Sequence, residues 1–84
     1  MITSRQVRAA RALLGWSQEL LADKALVALT ALKRLESDRL SVRDATREAV
    51  RKALEAAGIV FLSSGRGEGV MLVRREARKQ GEEA

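Results

Sequence analysis

Eighty-four residues make one small domain, with a core marginal enough that an oligomeric or partner-bound state is expected. The absence of cysteine excludes a disulfide framework, a thiolate metal site and a thiol nucleophile; the absence of histidine removes the commonest general base and metal ligand, so neither an enzyme nor a cofactor is expected. Lys and Arg outnumber Asp and Glu by 16 to 11, a net charge of +5 that permits nucleic-acid binding without requiring it.

Thr3, followed three residues later by Gln6, forms a capping-box pattern, so a first helix is predicted to start near Ser4 and to present Val7, Ala10, Leu13 and Leu14 to the core. The first 16 residues hold no acid, as a transit peptide would, yet they fit this helix better than a removed leader. Gly15 supplies a left-handed exit, and Trp16, one of only two aromatic residues, reads as a packing wedge before the next helix.

Ser17 to Asp38 is the stretch around which the chain is organised. Leu20, Leu21, Ala22 and Ala25 recur at helical spacing, and Leu29, Leu32 and Leu35 follow after a break of a few residues, which predicts two short helices joined by a tight turn. Ser17 can cap the first of these. The second has only Leu26, Val27 and Ala28 before it, none able to accept a hydrogen bond through its side chain.

Ser41 with Asp44 offers a further capping pattern, and Val42, Ala45, Ala49, Val50, Ala53, Leu54 and Ala57 make the apolar stripe of a fourth helix, closed by Gly58. Arg47, Glu48, Arg51, Lys52 and Glu55 give its other face opposite charges at helical spacing, as on a solvated surface. From Ile59 the texture changes. Ile59 to Leu62 and Val70 to Val73 are short apolar runs around a polar, glycine-rich stretch from Ser63 to Gly69, predicting a β-hairpin over 59–74 with a mobile seven-residue loop. Both of its faces are apolar, and a lone hairpin is marginal in water. One face covers the chain's own helices, and the other, or the strand edge, is expected to meet a second chain. Residues 1–74 thus form one domain, and 75–84 are a polar, disordered tail. No apolar run approaches the roughly 20 residues of a membrane span, and the protein reads as cytoplasmic.

Ala12-Leu13-Leu14-Gly15-Trp16-Ser17-Gln18, then Leu21-Ala22, then Leu32-Lys33-Arg34-Leu35-Glu36-Ser37, resemble the Cro/CI-type (XRE) helix-turn-helix family of bacterial and phage regulators. The resemblance spans roughly residues 3 to 58, and the continuation from Ala53 to Phe61 into a hairpin resembles a small subgroup common in α-proteobacteria. It implies a mainly α fold, a four- to five-helix bundle followed by a short C-terminal β-hairpin, with the third helix entering the major groove. Carried over by position, Gln18 would meet phosphate, Leu29, Thr30, Lys33 and Arg34 would face the bases, and Arg39 and Arg43 would flank the backbone. Glu36 would hold the bundle together.

The chain departs from the family pattern on the same surface. Leu26 stands where the family usually has the turn glycine, Ala28 where it has Ser or Thr, and Asp38 where a glycine follows the third helix. Leu26, Val27, Ala28 and Leu29 make an apolar lip better suited to protein than to phosphate. On this account the chain is similar to small antiactivators of rhizobial quorum-sensing circuits, the QseM type among them, which mask a transcription activator protein. Its partner-binding residues would be Leu26, Val27, Leu29, Lys33, Phe61 and Met71. The alternative is an operator-binding repressor, a homodimer through the hairpin, and of the two the lip favours the antiactivator.

Overall fold

The computed structural model describes residues 1–38 and 42–73; Arg39, Ser41, Arg74 and the predicted tail over 75–84 lie outside them. The described part comprises α1 (Ser4–Leu14), α2 (Gln18–Ala25), α3 (Leu29–Glu36), α4 (Asp44–Ala56) and an antiparallel hairpin of β1 (Ile59–Ser64) and β2 (Gly67–Leu72). This is the mainly α bundle with a C-terminal hairpin that the sequence predicts.

Local chemistry sets the helix ends. Thr3 Oγ1 accepts from the Gln6 amide at 3.1 Å while Gln6 Oε1 accepts from the Thr3 amide at 3.0 Å, completing the capping box. Gly15 ends α1 in the left-handed conformation. Ser17 Oγ accepts from the Leu20 amide at 3.0 Å at the head of α2. The fourth helix differs from its prediction. Its N-cap is Arg43, without a side-chain cap, and Asp44 is its first residue rather than its third. There the Asp44 carboxylate faces the positive end of the helix dipole, which favours an acid in that turn. Gly58 follows at φ 106°, and a Cβ there would stand 3.2 Å from Leu72 Cδ1 and 3.4 Å from the Val73 carbonyl oxygen. Only glycine combines that dihedral with that approach.

Val7, Leu21, Leu32, Leu35, Val50 and Leu54 form the fully buried centre, and Ile2 and Ile59 are buried in the same cluster. Leu13 and Leu20, expected inside, are 48% and 37% exposed. Helical geometry explains both: Leu13 projects roughly 120° round α1 from Val7, and Leu20 about 100° round α2 from Leu21.

The hairpin is tighter than predicted. Ser63 pairs with Glu68 and Ser64 with Gly67, so most of the expected seven-residue loop is strand and the turn is Gly65-Arg66 alone. Strand alternation then sorts its apolar residues. Ile59, Phe61, Val70 and Leu72 pack against the core, whereas Val60, Leu62, Met71 and Val73 are exposed. The hairpin lies chiefly along α1, through β2, and meets α4 through β1. Gln6 Nε2 donates to the Leu62 and Gly69 carbonyls at 3.0 and 2.9 Å. Glu68 Oε2 accepts from Thr3 Oγ1 at 3.1 Å and Arg5 Nε at 2.6 Å.

The hydrogen bond from Arg5, helped by that from Thr3, holds the Glu68 carboxyl below its usual pKa. A depressed folded-state pKa means that this latch stabilises the fold above the unfolded value and is lost as pH falls through the folded one. Glu68→Gln is therefore expected to lower the melting temperature near neutral pH and to cost progressively less on acidification to about pH 3. Thermal unfolding followed by circular dichroism across that range checks it, and a pH-independent difference would contradict it.

Candidate nucleic-acid and partner interface

The geometry of the site begins behind it. Glu36, the last residue of α3, is only 3% exposed, and its carboxylate receives Arg11 in bidentate fashion, Nε at 2.6 Å and Nη2 at 2.8 Å. Gln18 Nε2 donates to the same carboxylate at 3.1 Å, Arg11 Nη1 donates to the Trp16 carbonyl at 3.0 Å, and Arg8 donates to the Glu36 backbone carbonyl. The hydrogen bond to Glu36 raises the Arg11 pKa, so this cation stays charged at any working pH. One buried cluster thus ties α3 to α1 and to the head of α2, fixing how α3 presents its outer face. Gln18, assigned by position to phosphate, has its amide committed to this cluster. Nearby, Lys24 Nζ lies 5.8 Å from the centre of the Trp16 ring, the half-buried wedge between α1 and α2.

The turn from α2 to α3 keeps a left-handed residue even though that residue is leucine. Leu26 adopts φ 58°, ψ 43°, and its amide and that of Val27 bond back to the Asp23 and Ala22 carbonyls. Its side chain is 91% exposed, so no burial offsets the backbone cost. A left-handed L-residue costs about 1–2 kcal/mol, and glycine returns part of that as unfolded-chain entropy. Leu26→Gly is expected to stabilise the domain by about 0.5–1 kcal/mol, a rise of roughly 2–8 °C in Tm. A lower Tm by calorimetry would contradict the left-handed turn. Asp38, after α3, is likewise left-handed at φ 61°, a conformation aspartate tolerates.

On α3, Thr30, Lys33 and Arg34 are exposed and Leu29 is half-buried against the core, as is Val27. The predicted lip therefore narrows to Leu26, with Ala28 beside it. Ala28 is the N-cap of α3 and offers no side-chain acceptor, leaving the first amides of that helix to water or an external oxygen. Arg43, exposed at the head of α4, stands across an open groove of about 490 Å³ from the turn. Leu26, Val27, Ala31, Val42, Ala45 and Ala49 give the groove its aliphatic surface, and Arg34 and Arg43 border it. Among the described residues neither arginine, nor Lys33, makes an ion pair. Arg39 lies outside those residues. Of the residues assigned to a protein partner on the hairpin, Met71 is 49% exposed on the outer face, but Phe61 points to the helices and joins the core. One wall of the groove is built by Val42, just before α4, and by Ala45 and Ala49 of α4, residues that the sequence marks only as part of an apolar stripe.

Two short helices joined by a tight left-handed turn, the second held from behind and polar in front, define a helix-turn-helix transcription-regulatory protein. The chain belongs to the Cro/CI-type (XRE) helix-turn-helix family, whose model, described as Helix-turn-helix, matches residues 7–59. A search among curated proteins found no match to the chain. No helix among the described residues is long and apolar enough to cross a membrane.

Proposed function

We propose that this protein regulates transcription by binding DNA through α3, with Thr30, Lys33 and Arg34 in the major groove and Arg43 on the sugar-phosphate backbone. The supporting observation is the outer face of α3: three exposed side chains able to donate hydrogen bonds, the two cationic ones without an acidic partner among the described residues. The helix itself is held by the buried Arg11–Glu36 pair. Despite the Leu26, Ala28 and Asp38 departures the turn keeps a left-handed residue and α3 runs unbroken from Leu29 to Glu36, and the net charge of +5 suits the partner. Arg39 joins the DNA contacts by position. Fluorescence anisotropy with the duplex upstream of the protein's own gene, beside a random duplex, is expected to give sequence-preferring binding that weakens steeply with salt. Equal binding to both duplexes, or a flat salt dependence, would reject it.

The proposal includes binding as a dimer, supported by the hairpin, whose outer face exposes Val60, Leu62, Met71 and Val73 with no charged side chain among them. A twofold pairing of this face would set two α3 helices against a palindromic site. Sedimentation equilibrium is expected to show a dimer that Leu62→Glu dissociates; a monomeric wild type would discard it.

The antiactivator role is favoured by one observation, the exposed Leu26 beside an aliphatic groove. Under that role Leu26→Asp would abolish regulation of a reporter while Thr30→Ala, which lies outside the groove, would have a mild effect; under DNA binding the order of severity reverses. Leu26 serves this comparison better than Leu29, whose partial burial would confound regulation with folding.

A further inference from the structure

We infer that the groove between the α2–α3 turn and α4 docks an acidic amphipathic helix of a partner protein, in competition with DNA. The groove combines two features that DNA does not satisfy together. Its lining side chains are mainly aliphatic, and the small ones of Ala31, Ala45 and Ala49 allow another helix to approach the backbones of α3 and α4 closely. Its volume, about 490 Å³, falls among clefts that accept several side chains rather than one. A helix laid in such a groove anchors through apolar residues at helical spacing, and Leu26, projecting at 91% exposure, would pack between them.

Charge selects among apolar helices. Arg34 from α3 and Arg43 from the head of α4 are exposed at the groove's border, so a basic helix would be repelled, and carboxylates flanking the anchors would be held by the two guanidiniums. The same reasoning disfavours a twofold-related second copy of this chain as the occupant, since pairing groove to groove would set two cationic borders against each other. Competition with DNA rests on the proposed function, because it assigns the same two arginines to the duplex; docking of the helix does not.

Two short synthetic helical peptides with leucines at identical helical spacing, one flanked by glutamates and the other by lysines, test this against the full-length protein in the absence of DNA. The acidic peptide is expected to perturb the amide resonances of Val27, Ala31, Ala45 and Ala49, and the basic one to leave them unmoved. Ala45→Glu, on an exposed position of the first turn of α4 where an acid does not oppose helix formation, is expected to weaken the acidic peptide about tenfold or more. Perturbation by both peptides alike, by neither, or elsewhere on the molecule would overturn the docking site. A labelled duplex is then added: its release by the acidic peptide supports the competition, and a ternary complex overturns it. A protein that binds the peptide and no duplex at all retains the docking site and fails the DNA reading instead, so the two failures are distinct.

Discussion

Arg11→Met is expected to destabilise the domain by about 3 kcal/mol or more, because it leaves the Glu36 carboxylate buried with only the Gln18 amide for company. Against the 5–15 kcal/mol typical of a domain, and smaller margins in small ones, that is a large fraction of the whole stability. The melting temperature should fall by roughly 12–24 °C. The loss comes from an orphaned charge and not from the worth of the pair itself. Arg11→Met combined with Glu36→Leu is therefore expected to recover most of it, since a buried ion pair replaced by apolar side chains of similar size is often neutral. Chemical denaturation of the two variants beside the wild type checks both expectations. A double variant as unstable as the single one would show that the pair, and not the stranded carboxylate, carries the energy.

That cluster also shows what the sequence made legible. Thr3 with Gln6, Ser17, Gly15 and the leucine rows mark the boundaries of α1 to α3 because capping and periodicity are local effects, read from neighbours a few residues apart. Glu36 was assignable to the bundle through the family resemblance, but its partner Arg11 stands 25 residues away, a separation that neither capping nor helical periodicity can pair. The full length of the hairpin strands is hidden from the sequence for a related reason. Ser63, Ser64, Gly67 and Glu68 are poor strand formers, and what makes them strand is pairing, together with the hold of Thr3 and Arg5 on Glu68 more than 60 residues back. Of the candidate site, Thr30, Lys33 and Arg34 were placed by the family resemblance, and all three are exposed on α3. The division between Phe61, turned inward, and Met71, turned outward, depended on a register that apolar runs on both faces do not specify. The groove was not legible at all, since it is made by the absence of bulk where α4 faces the turn.

Arg34→Ala is expected to reduce affinity for a specific duplex by about 5- to 150-fold, the range for losing a side chain that reads a base edge, while barely changing stability. The position explains both halves. Arg34 is exposed on the outer face of α3, makes no ion pair among the described residues, and stands two residues before Glu36, whose bonds to Arg11 fix the helix from behind. Arg43→Ala, at the head of α4, is assigned to the backbone, so it should weaken specific and random duplexes alike and make the slope of log affinity against log salt shallower by about one. The two variants thus separate reading from holding: the first narrows the gap between specific and random DNA, the second preserves it. Anisotropy titrations of both at several salt concentrations, beside a melting curve for each, make the comparison. If Arg34→Ala weakened both duplexes equally, its guanidinium would be a phosphate contact, and readout would fall to Thr30 and Lys33, with Leu26 and Leu29 left to the thymine methyl groups.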